Sequence, residues 1–298
     1  MRRVAIQGYK GCFHEQAARL FYGEMPDQVG HDVKDGLIGN AVMAGPDRPS
    51  VSIVECDTFE GLYTAIEEGR ADAAVMAIEN TVSGGLIHNF ELLRSHEVKV
   101  KGEVYIRIEQ NLMALPGQKL EDIREVRTHY MAINQTRPWF EKNAPWIRLT
   151  ESEDTAKSAA QVAQEGLKGV GAVASALAAE LYGLSILAPG IETYKQNFTR
   201  FLILDPALAV PEEEMNKAVL CFTLPHKPGS LAQILTILSF YEMNLTRIQS
   251  LPIPGREWQY FFYADIKFSS PERYRQALLA VRPLIEDLRI LGEYKAAL

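Results

Sequence analysis

The sequence predicts an α/β protein in which a larger region with parallel strands precedes a smaller βαββαβ region. Up to about residue 205, short apolar runs alternate with helical patterns, an order typical of parallel strands with helices on both faces. Residues 206–216 carry two prolines and three consecutive glutamates and predict an exposed linker. Beyond the linker the order is strand, helix, strand, strand, helix, strand, which is the ferredoxin-like arrangement. At 298 residues the chain is long enough for two or three folding units.

The first part of the larger region alternates strand and helix three times. The predicted strands are 4–6, 51–54 and 73–78, and the predicted helices are 14–21, 59–66 and 86–93. In parallel sheets the working residues follow the carboxyl ends of the strands. Two segments hold that position, Gly8–Cys12 after the first strand and Glu79–Thr81 after the third.

A second α/β stretch runs from about Glu109 to Leu187. Its predicted strands are 112–115, 126–129 and 171–174, and its predicted helices are 132–140, 152–164 and 175–182. Gly183 is expected to close the last of these helices. We expect Pro138 to start a new turn rather than to lie inside a helix, because proline removes a helical hydrogen bond.

The C-terminal region supplies the βαββαβ order. Its predicted strands are 218–224, 245–251, 258–268 and 288–294, and its predicted helices are 230–241 and 271–285. We expect the aromatic run Trp258–Tyr263 to lie in a core or dimer-facing strand rather than to form a ligand platform.

Composition excludes several classes of protein. With 47% apolar and 23% charged residues, the chain has the composition of a soluble globular protein. Its net charge of -7 argues against a surface for nucleic acid or anionic membranes. The apolar run after Arg3 is too short for a signal peptide, and no later run is long enough to span a bilayer. Three cysteines far apart predict free thiols in a reducing compartment, so we expect a cytoplasmic protein.

The segment Asn197–Phe201 places a hydroxyl and a guanidinium side by side at the start of a buried strand. Arg200 offers a rigid fork of donors that suits a carboxylate, and Thr199 offers a hydroxyl that can give or take a proton. The pair predicts a site for an anionic substrate that carries a group to be protonated. The competing interpretation is a strand start whose arginine pairs with a surface acid, and the five residues alone favour it.

Other motifs along the chain change that balance. They are Gly8–Gly11, Ile78–Thr81 with Ser83–Gly85, Thr128–His129, Gln135, Asp154–Ala156, Ala174–Leu184, Asn197–Phe201, Pro228–Leu231 and Asn244–Thr246. In this order they resemble the prephenate dehydratase family over essentially the whole chain. The resemblance implies a two-lobed catalytic region, folded like a type 2 periplasmic binding protein, joined to a C-terminal ACT domain that senses an amino acid.

The same resemblance implies a division of the chain. Residues 1–205 would form the catalytic region, with lobe one at about 1–108 and 188–205 and lobe two at about 109–187. Residues 206–216 would be the linker and residues 217–298 the ACT regulatory domain.

The implied reaction is the decarboxylating dehydration of prephenate to phenylpyruvate in L-phenylalanine biosynthesis. Thr199 would be the acid, Arg200 would bind a substrate carboxylate, Asn80 would donate a hydrogen bond and Glu79 would orient the others. The further substrate-binding residues would be Lys10, Thr81, Ser83, Gly84, Thr128, Gln135, Thr155, Asn197, Phe198 and Phe201. No spacing of His, Cys or Asp suggests a metal site, and Gly8-x-x-Gly11 is poor evidence for a nucleotide, so we expect no cofactor.

The ACT resemblance implies feedback by L-phenylalanine and an even-numbered assembly, a homodimer or homotetramer. The implied effector residues are Pro228, Gly229, Ser230, Leu231, Asn244, Gln249, Ser250 and Leu251. The family's usual Glu-Ser-Arg-Pro reads Gln249–Pro252 here and loses both charges, which leaves L-phenylalanine binding open.

Several alternatives remain open at this point. The substrate could be arogenate, and the chain could be a non-catalytic small-molecule binder or a regulatory ACT protein with a degenerate front end. Glu79–Asn80 and Asp154–Thr155 could each simply cap a helix. Cys12 and His14 could form a nucleophilic pair, although their loop spacing and the lack of a third partner disfavour it.

Overall fold

Residues 1–23 and 50–297 are described by the computed structural model, and they divide into two units. The first unit comprises Met1–Gly85 and Val104–Phe201, and the second comprises Leu86–Glu103 and Leu202–Leu298. Helix 86–93, predicted from its apolar spacing, therefore belongs to the same unit as the C-terminal region. The domain boundaries implied by the family resemblance stay a prediction.

The secondary structure follows in chain order. The strands are β1 (Arg2–Gln7), β2 (Val51–Cys56), β3 (Ala73–Asn80), β4 (Gly84–Gly85), β5 (Val100–Arg107), β6 (Asn111–Ala114), β7 (Glu125–His129), β8 (Arg148–Ser152), β9 (Val170–Ala174), β10 (Ser185–Ala188), β11 (Phe198–Leu204), β12 (Lys217–Thr223), β13 (Asn244–Pro252), β14 (Tyr260–Lys267) and β15 (Asp287–Tyr294). The helices are α1 (Phe13–Tyr22), α2 (Phe59–Glu67), α3 (Ile87–Ser95), α4 (Tyr130–Asn143), α5 (Thr155–Gln164), α6 (Ala176–Tyr182), α7 (Ser230–Phe240) and α8 (Pro271–Val281).

In the first unit, β1 lies between two parallel partners. Val4 is in register with Ile53 of β2 on one side and with Ala73 of β3 on the other. The predicted parallel arrangement is confirmed for these strands. Both faces of β1 and β3 are apolar because α1 and α2 pack against them, which explains why residues 73–78 form an unbroken buried run.

A second sheet of the first unit has the order β10-β6-β9-β7-β8. β7 is parallel to both β8 and β9, whereas β6 is antiparallel to β9 and β10. Its buried core includes Leu112, Ile123, Phe140, Val173 and Ile191. The pattern predicted neither β8 nor β10, because both strands are only partly buried and lack a strong apolar run.

The expectation for Pro138 was wrong. Helix α4 runs without a break through Pro138 to Asn143. Pro138 costs the helix one hydrogen bond and crowds the preceding turn, and the buried residues Thr136 and Phe140 on either side offset this by anchoring the helix on the sheet. Gly183 closes α6 in the left-handed conformation with φ 65°, as predicted.

The C-terminal part of the second unit has the predicted βαββαβ order. Its strands lie in the order β13-β14-β12-β15, and every neighbouring pair is antiparallel. One face packs on α7 and α8 through a core that includes Phe222, Ile234, Ala264, Tyr274 and Leu278.

Helix α3 also contacts aromatic residues of this second unit. The rings of Phe90 and Tyr263 meet edge to face with centroids 5.3 Å apart. The guanidinium of Arg94 lies 4.3 Å from the ring centroid of Phe261. Tyr263 is buried, as expected of a core strand, and Phe261 is half-buried, whereas Trp258 lies before the start of β14 and is 70% exposed, so its predicted place in the strand was wrong.

The second unit also buries an ion pair. Lys217 Nζ lies 2.9 and 2.8 Å from the two carboxylate oxygens of Glu103. The hydroxyl of Tyr294 donates to Glu103 Oε2 at 3.1 Å, and the backbone N–H of Ala297 donates to Oε1 at 3.3 Å. Each carboxylate oxygen thus has two donors, which offsets the cost of burying the charge.

Within the described residues, no helix combines the length and apolarity needed to cross a membrane. Cys12, Cys56 and Cys221 are buried free thiols. No group of three or more His, Cys, Asp or Glu residues in the same ranges could hold a metal ion.

Candidate active site

The ends of β3 and β11 lie side by side in the first unit. The backbone N–H of Thr81 donates to the carbonyl of Phe198 at 2.9 Å, and the backbone N–H of Phe198 donates to Thr81 Oγ1 at 2.9 Å. This pairing brings the segments around Glu79 and Thr199, which are far apart in sequence, to one place. Thr81 and Phe198, both predicted to bind substrate, hold this junction together.

Asn80 is the centre of the resulting hydrogen-bond network. Its Nδ2 donates to Asn197 Oδ1 at 2.6 Å and to Thr199 Oγ1 at 2.9 Å. Its Oδ1 accepts the backbone N–H groups of Val82 at 2.9 Å and Ser83 at 2.8 Å. Because backbone N–H groups can only donate, they fix the amide with its oxygen toward the turn and its nitrogen toward Thr199.

This orientation determines what the Thr199 hydroxyl can do. Its oxygen already accepts a hydrogen bond from Asn80, so the hydroxyl proton points to another acceptor. Accepting an N–H bond also polarises the O–H group and makes it a better donor. Thr199 is 8% exposed, so this donor lies in a largely dry environment.

Glu79 and Arg200 form the second contact between the same two segments. Arg200 Nη1 lies 3.1 Å from Glu79 Oε1. The arginine side chain is 2% exposed, whereas the glutamate side chain is 33% exposed. Burial of Arg200 favours a role in holding Glu79, and its predicted contact with a substrate carboxylate stays a prediction.

The loop after β1 is held by two residues at the ends of α6, in the part of the same unit that contains the second sheet. Ser175 Oγ donates to the carbonyl of Gly11 at 2.5 Å, and the Tyr182 hydroxyl donates to the carbonyl of Lys10 at 2.8 Å. Gly11 has φ 91°, and a Cβ there would lie 2.9 Å from Ala178 Cα, so only glycine fits. The Lys10 side chain is exposed. The loop is therefore held by its backbone.

Tyr9 adds a side-chain contact to the same loop. Its hydroxyl donates to Glu153 Oε1 at 3.0 Å and accepts from Lys157 Nζ at 3.0 Å. The lysine Nζ also lies 4.6 Å from the Tyr9 ring centroid. Tyr9 therefore links the loop after β1 to α5.

Asp154 caps α5, as the simpler interpretation of Asp154–Thr155 proposed. Its Oδ1 accepts the backbone N–H of Lys157 at 2.8 Å, and Thr155 is the first helical residue. The carboxylate also lies against Gly8 at the end of β1, where a Cβ would be 3.1 Å from Asp154 Oδ2. Burial raises the pKa of the Asp154 carboxyl above its usual range.

Two predicted residues in the part of the unit that contains the second sheet have other partners. Thr128 is fully buried and its hydroxyl donates to the carbonyl of Val173 at 2.7 Å. The structure therefore gives Thr128 a role in holding β7 beside β9 and does not bring its hydroxyl to Thr199. Gln135 is half-buried on α4, and its Oε1 accepts from Gln110 Nε2 at 3.1 Å.

The remaining predicted residues lie on or next to the same two chain segments. Ser83 contributes its backbone N–H, and Gly84 is exposed with φ 81° and open space around it. Phe201 is buried against His14, with ring centroids 4.9 Å apart.

Cys12 and His14 do not form an activated pair. Burial raises the pKa of the Cys12 thiol well above its usual range, so the thiol is neutral at physiological pH. Burial lowers the pKa of His14 to about 3, and its Nε2 accepts the backbone N–H of Ala77 at 3.4 Å.

Gln110 and Glu192 were not among the predicted site residues. Both are buried, at 3% and 2% exposure, and Glu192 Oε2 accepts the backbone N–H of Gln110 at 2.9 Å. No local pattern marks either residue, because Gln110 lies in the polar stretch Glu109–Asn111, and a buried amide is recognised only by the partners that surround it.

The residues implied to bind an effector lie in the second unit. Gly229 precedes α7 in the left-handed conformation, and Ser230 Oγ donates to the carbonyl of Pro225 at 2.8 Å. Gln249 is in register with Tyr263, and buried Leu251 is in register with Phe261. Asn244, the first residue of β13, is exposed, as are Pro228 and Ser250, while Leu231 packs on the core.

Comparison with known proteins agrees with the geometry. A family model described as prephenate dehydratase matches residues 4–207. The chain is 32% identical to a bifunctional chorismate mutase/prephenate dehydratase of Aquifex aeolicus (strain VF5), over 99% of this chain and 74% of that protein. It is 33% identical to the chloroplastic arogenate dehydratase 5 of Arabidopsis thaliana, over 98% of this chain and 67% of that protein.

Two solved structures are similar over nearly the whole chain. One is a prephenate dehydratase from Arthrobacter aurescens in complex with L-Phe, with a TM-score of 0.79 and 27% identity over 99% of this chain and 90% of that one. The other is GqqA, described as a novel type of quorum quenching acylase, with a TM-score of 0.80 and 30% identity over 99% and 98%. On the family match and the identity to its relatives, the chain belongs to the prephenate dehydratase family.

Proposed function

We propose that this chain catalyses the decarboxylating dehydration of prephenate to phenylpyruvate. The observation that carries the proposal is the hydrogen bond from Asn80 Nδ2 to Thr199 Oγ1, which leaves the hydroxyl proton free to be donated. Membership of the prephenate dehydratase family supplies the substrate class.

The reaction needs one proton at one oxygen. The bond between the ring and its carboxylate breaks, its electron pair moves into the ring, and the bond to the ring hydroxyl breaks on the other side. Thr199 donates its proton to the leaving hydroxyl, so that carbon dioxide and water depart and the ring becomes aromatic. Solvent then restores the proton of Thr199.

The rest of the network keeps that proton in place. Asn80 holds the Thr199 oxygen, and Arg200 holds the partly exposed carboxylate of Glu79, the residue before Asn80. Because the groups are pre-oriented and largely dry, little reorganisation is needed as charge shifts in the transition state.

Arogenate is the competing substrate, since several relatives are named for it, among them the arogenate dehydratase 5 of Arabidopsis thaliana. It carries an amino group where prephenate carries a keto group, and its product would be phenylalanine rather than phenylpyruvate. Purified protein incubated with each compound, with product identified by chromatography, separates the two.

The same assay tests the proposal itself. Turnover of either compound supports the dehydratase; a folded protein that binds both and converts neither would instead be a small-molecule binder. An N-acyl amide substrate, included because of the likeness to the acylase-described structure, serves as a third arm. We expect no release of its acyl group.

We further propose the division into a two-lobed catalytic region at 1–205, a linker at 206–216 and an ACT regulatory domain at 217–298. The antiparallel βαββαβ order supports the last part. L-phenylalanine is the proposed effector, because a similar prephenate dehydratase was solved with it. Titration of activity with L-phenylalanine, in wild type and in Leu251→Arg, tests whether the altered loop still senses it.

A homodimer or homotetramer is proposed as the assembly. β13 is an end strand in the described sheet order and extends over 9 residues, and an end strand is a place where a second copy can add to a sheet. Light scattering coupled to gel filtration measures the assembly. Three free cysteines fit a reducing compartment such as the cytoplasm.

A further inference from the structure

Gln110 lies in the first unit where two chain segments run beside each other. Its backbone N–H donates to Glu192 Oε2 at 2.9 Å, and its carbonyl accepts the backbone N–H of Ile191 at 2.7 Å. Gln110 as a whole is 3% exposed. The backbone of Gln110 is therefore held on both sides, and this limits the directions in which its side chain can point.

That side chain reaches Gln135. Gln110 Nε2 donates to Gln135 Oε1 at 3.1 Å. An amide whose oxygen is already engaged presents its NH₂ group on the opposite side, so Gln135 is turned with its two donors away from Gln110.

The oxygen of the Gln110 side-chain amide shows why the contact of its nitrogen with Gln135 matters. Among the described residues, Gln110 Oε1 is buried and has no hydrogen-bond partner. An unpartnered buried acceptor costs about 1–3 kcal/mol. A leucine or methionine would avoid that cost, so the value of glutamine here lies in its Nε2 donor.

The backbone of Gln135 is also held in place. Its carbonyl accepts both the N–H and the hydroxyl of Thr193, each at 2.9 Å. The main chain of α4 is thus fixed at this residue, and the orientation of the side-chain amide depends on Gln110.

The segment that carries Gln110 also joins the Asn80 network. The backbone N–H of Ile108 donates to the carbonyl of Asn197 at 2.7 Å, and Asn197 accepts from Asn80. Gln110 is two residues from Ile108, which is at most about 7 Å along the chain, so one short segment carries both the contact to Asn197 and the contact to Gln135.

We infer that Gln110 is a positioning residue, which turns the Gln135 amide so that its N–H donors face an acceptor oxygen of the substrate, a carboxylate or the keto group. This inference rests on the proposed function. Gln110 itself is too buried to contact the substrate, so its effect passes through Gln135.

A double-mutant cycle tests it. Gln110→Leu should lower kcat/KM about 10-fold in the wild-type background, the loss expected when one hydrogen bond no longer fixes a donor. In a Gln135→Leu background the same change should alter kcat/KM less than twofold, because no amide remains to be turned.

Two further variants distinguish orientation from packing. Gln110→His keeps a ring N–H donor and should recover most of the loss. Gln110→Glu removes the donor at nearly the same volume and attracts the Gln135 NH₂ group, so it should be at least as harmful as leucine. Thermal unfolding should show that Gln110→Leu is no less stable than wild type, since it removes an unpartnered polar atom.

Equal losses from Gln110→Leu in both backgrounds would overturn the inference, as would full activity of Gln110→Glu. Absence of turnover in the wild type with every candidate substrate would instead refute the proposed function. Prephenate binding measured by calorimetry would then decide the inference, which predicts a weaker affinity in Gln110→Leu and is overturned by an equal one.

Discussion

Each unit of the molecule contains an ion pair with a buried cation, and the two pairs differ in their anions. In the second unit, the side chains of Glu103 and Lys217 are 1% and 4% exposed. In the first unit, Arg200 is 2% exposed, but the side chain of its partner Glu79 is 33% exposed.

The difference separates a structural pair from a functional one. Glu103 is closed on all sides, with Tyr294 and Ala297 adding to the bonds from Lys217. A pair of this kind can only hold elements together. The Glu79 side chain is one-third exposed, so a ligand can reach it. Four predictions sharpen this contrast.

Removing the cation of the closed pair should have the largest effect on stability. Lys217→Met leaves the Glu103 carboxylate buried with only neutral donors, which should lower the free energy of unfolding by about 3–5 kcal/mol. Urea denaturation followed by circular dichroism measures this change.

The matched control is Lys217→Met combined with Glu103→Leu. Because the double variant leaves no buried charge, it should regain most of the lost stability. A single variant within 1 kcal/mol of wild type would show that the closed pair is not structural.

The equivalent change in the open pair should act on activity. Arg200→Met removes a charge-assisted hydrogen bond to Glu79, so we expect kcat/KM to fall by about 10- to 100-fold. Its free energy of unfolding should fall less than that of Lys217→Met, since water can solvate Glu79. Steady-state kinetics and urea denaturation on the same preparation compare the two. A larger loss of stability than in Lys217→Met would reverse the contrast.

An isosteric change at Asn80 should reverse the direction of one hydrogen bond. In Asn80→Asp the carboxylate can still accept from Val82 and Ser83, but it cannot donate to Thr199. The Thr199 hydroxyl would then donate its hydrogen bond to the aspartate. Its proton would no longer be directed to the substrate. We expect kcat to fall about 30-fold with little change in melting temperature. Unchanged kcat would show that the orientation of the hydroxyl does not matter.

The smallest effect concerns acid stability. Burial lowers the pKa of His14 to about 3, so below about pH 6.5 the unfolded chain binds a proton that the native protein does not. Stability therefore falls as the pH drops through this range. His14→Gln should reduce the loss between pH 7 and pH 5 by about 1–2 kcal/mol. Parallel slopes of unfolding free energy against pH in both proteins would contradict this.

The sequence predicted the parts of this arrangement that depend on local pattern. The apolar run 73–78 identified β3, and the position after its end identified Glu79 and Asn80 as candidates. The βαββαβ order followed from alternating patterns and turn residues in the same way.

What depends on tertiary contacts was not predicted. The apolar spacing of α3 identified a helix, but not that Phe90 would meet Tyr263 in the second unit. Thr128 has the residue type of a binding group, yet its hydroxyl is used by Val173. Gln110 and Glu192 carry no local pattern, because their importance arises only when residues 110 and 192 meet.

The central claim is that the Thr199 hydroxyl delivers the proton. Thr199→Val keeps the shape of the side chain and removes the hydroxyl, whereas Thr199→Ser keeps it. Single-turnover kinetics on prephenate should show the valine variant slowed at least about 100-fold, with substrate affinity within a few-fold of wild type and the serine variant close to wild type. A valine variant that turns over prephenate at the wild-type rate would contradict the account.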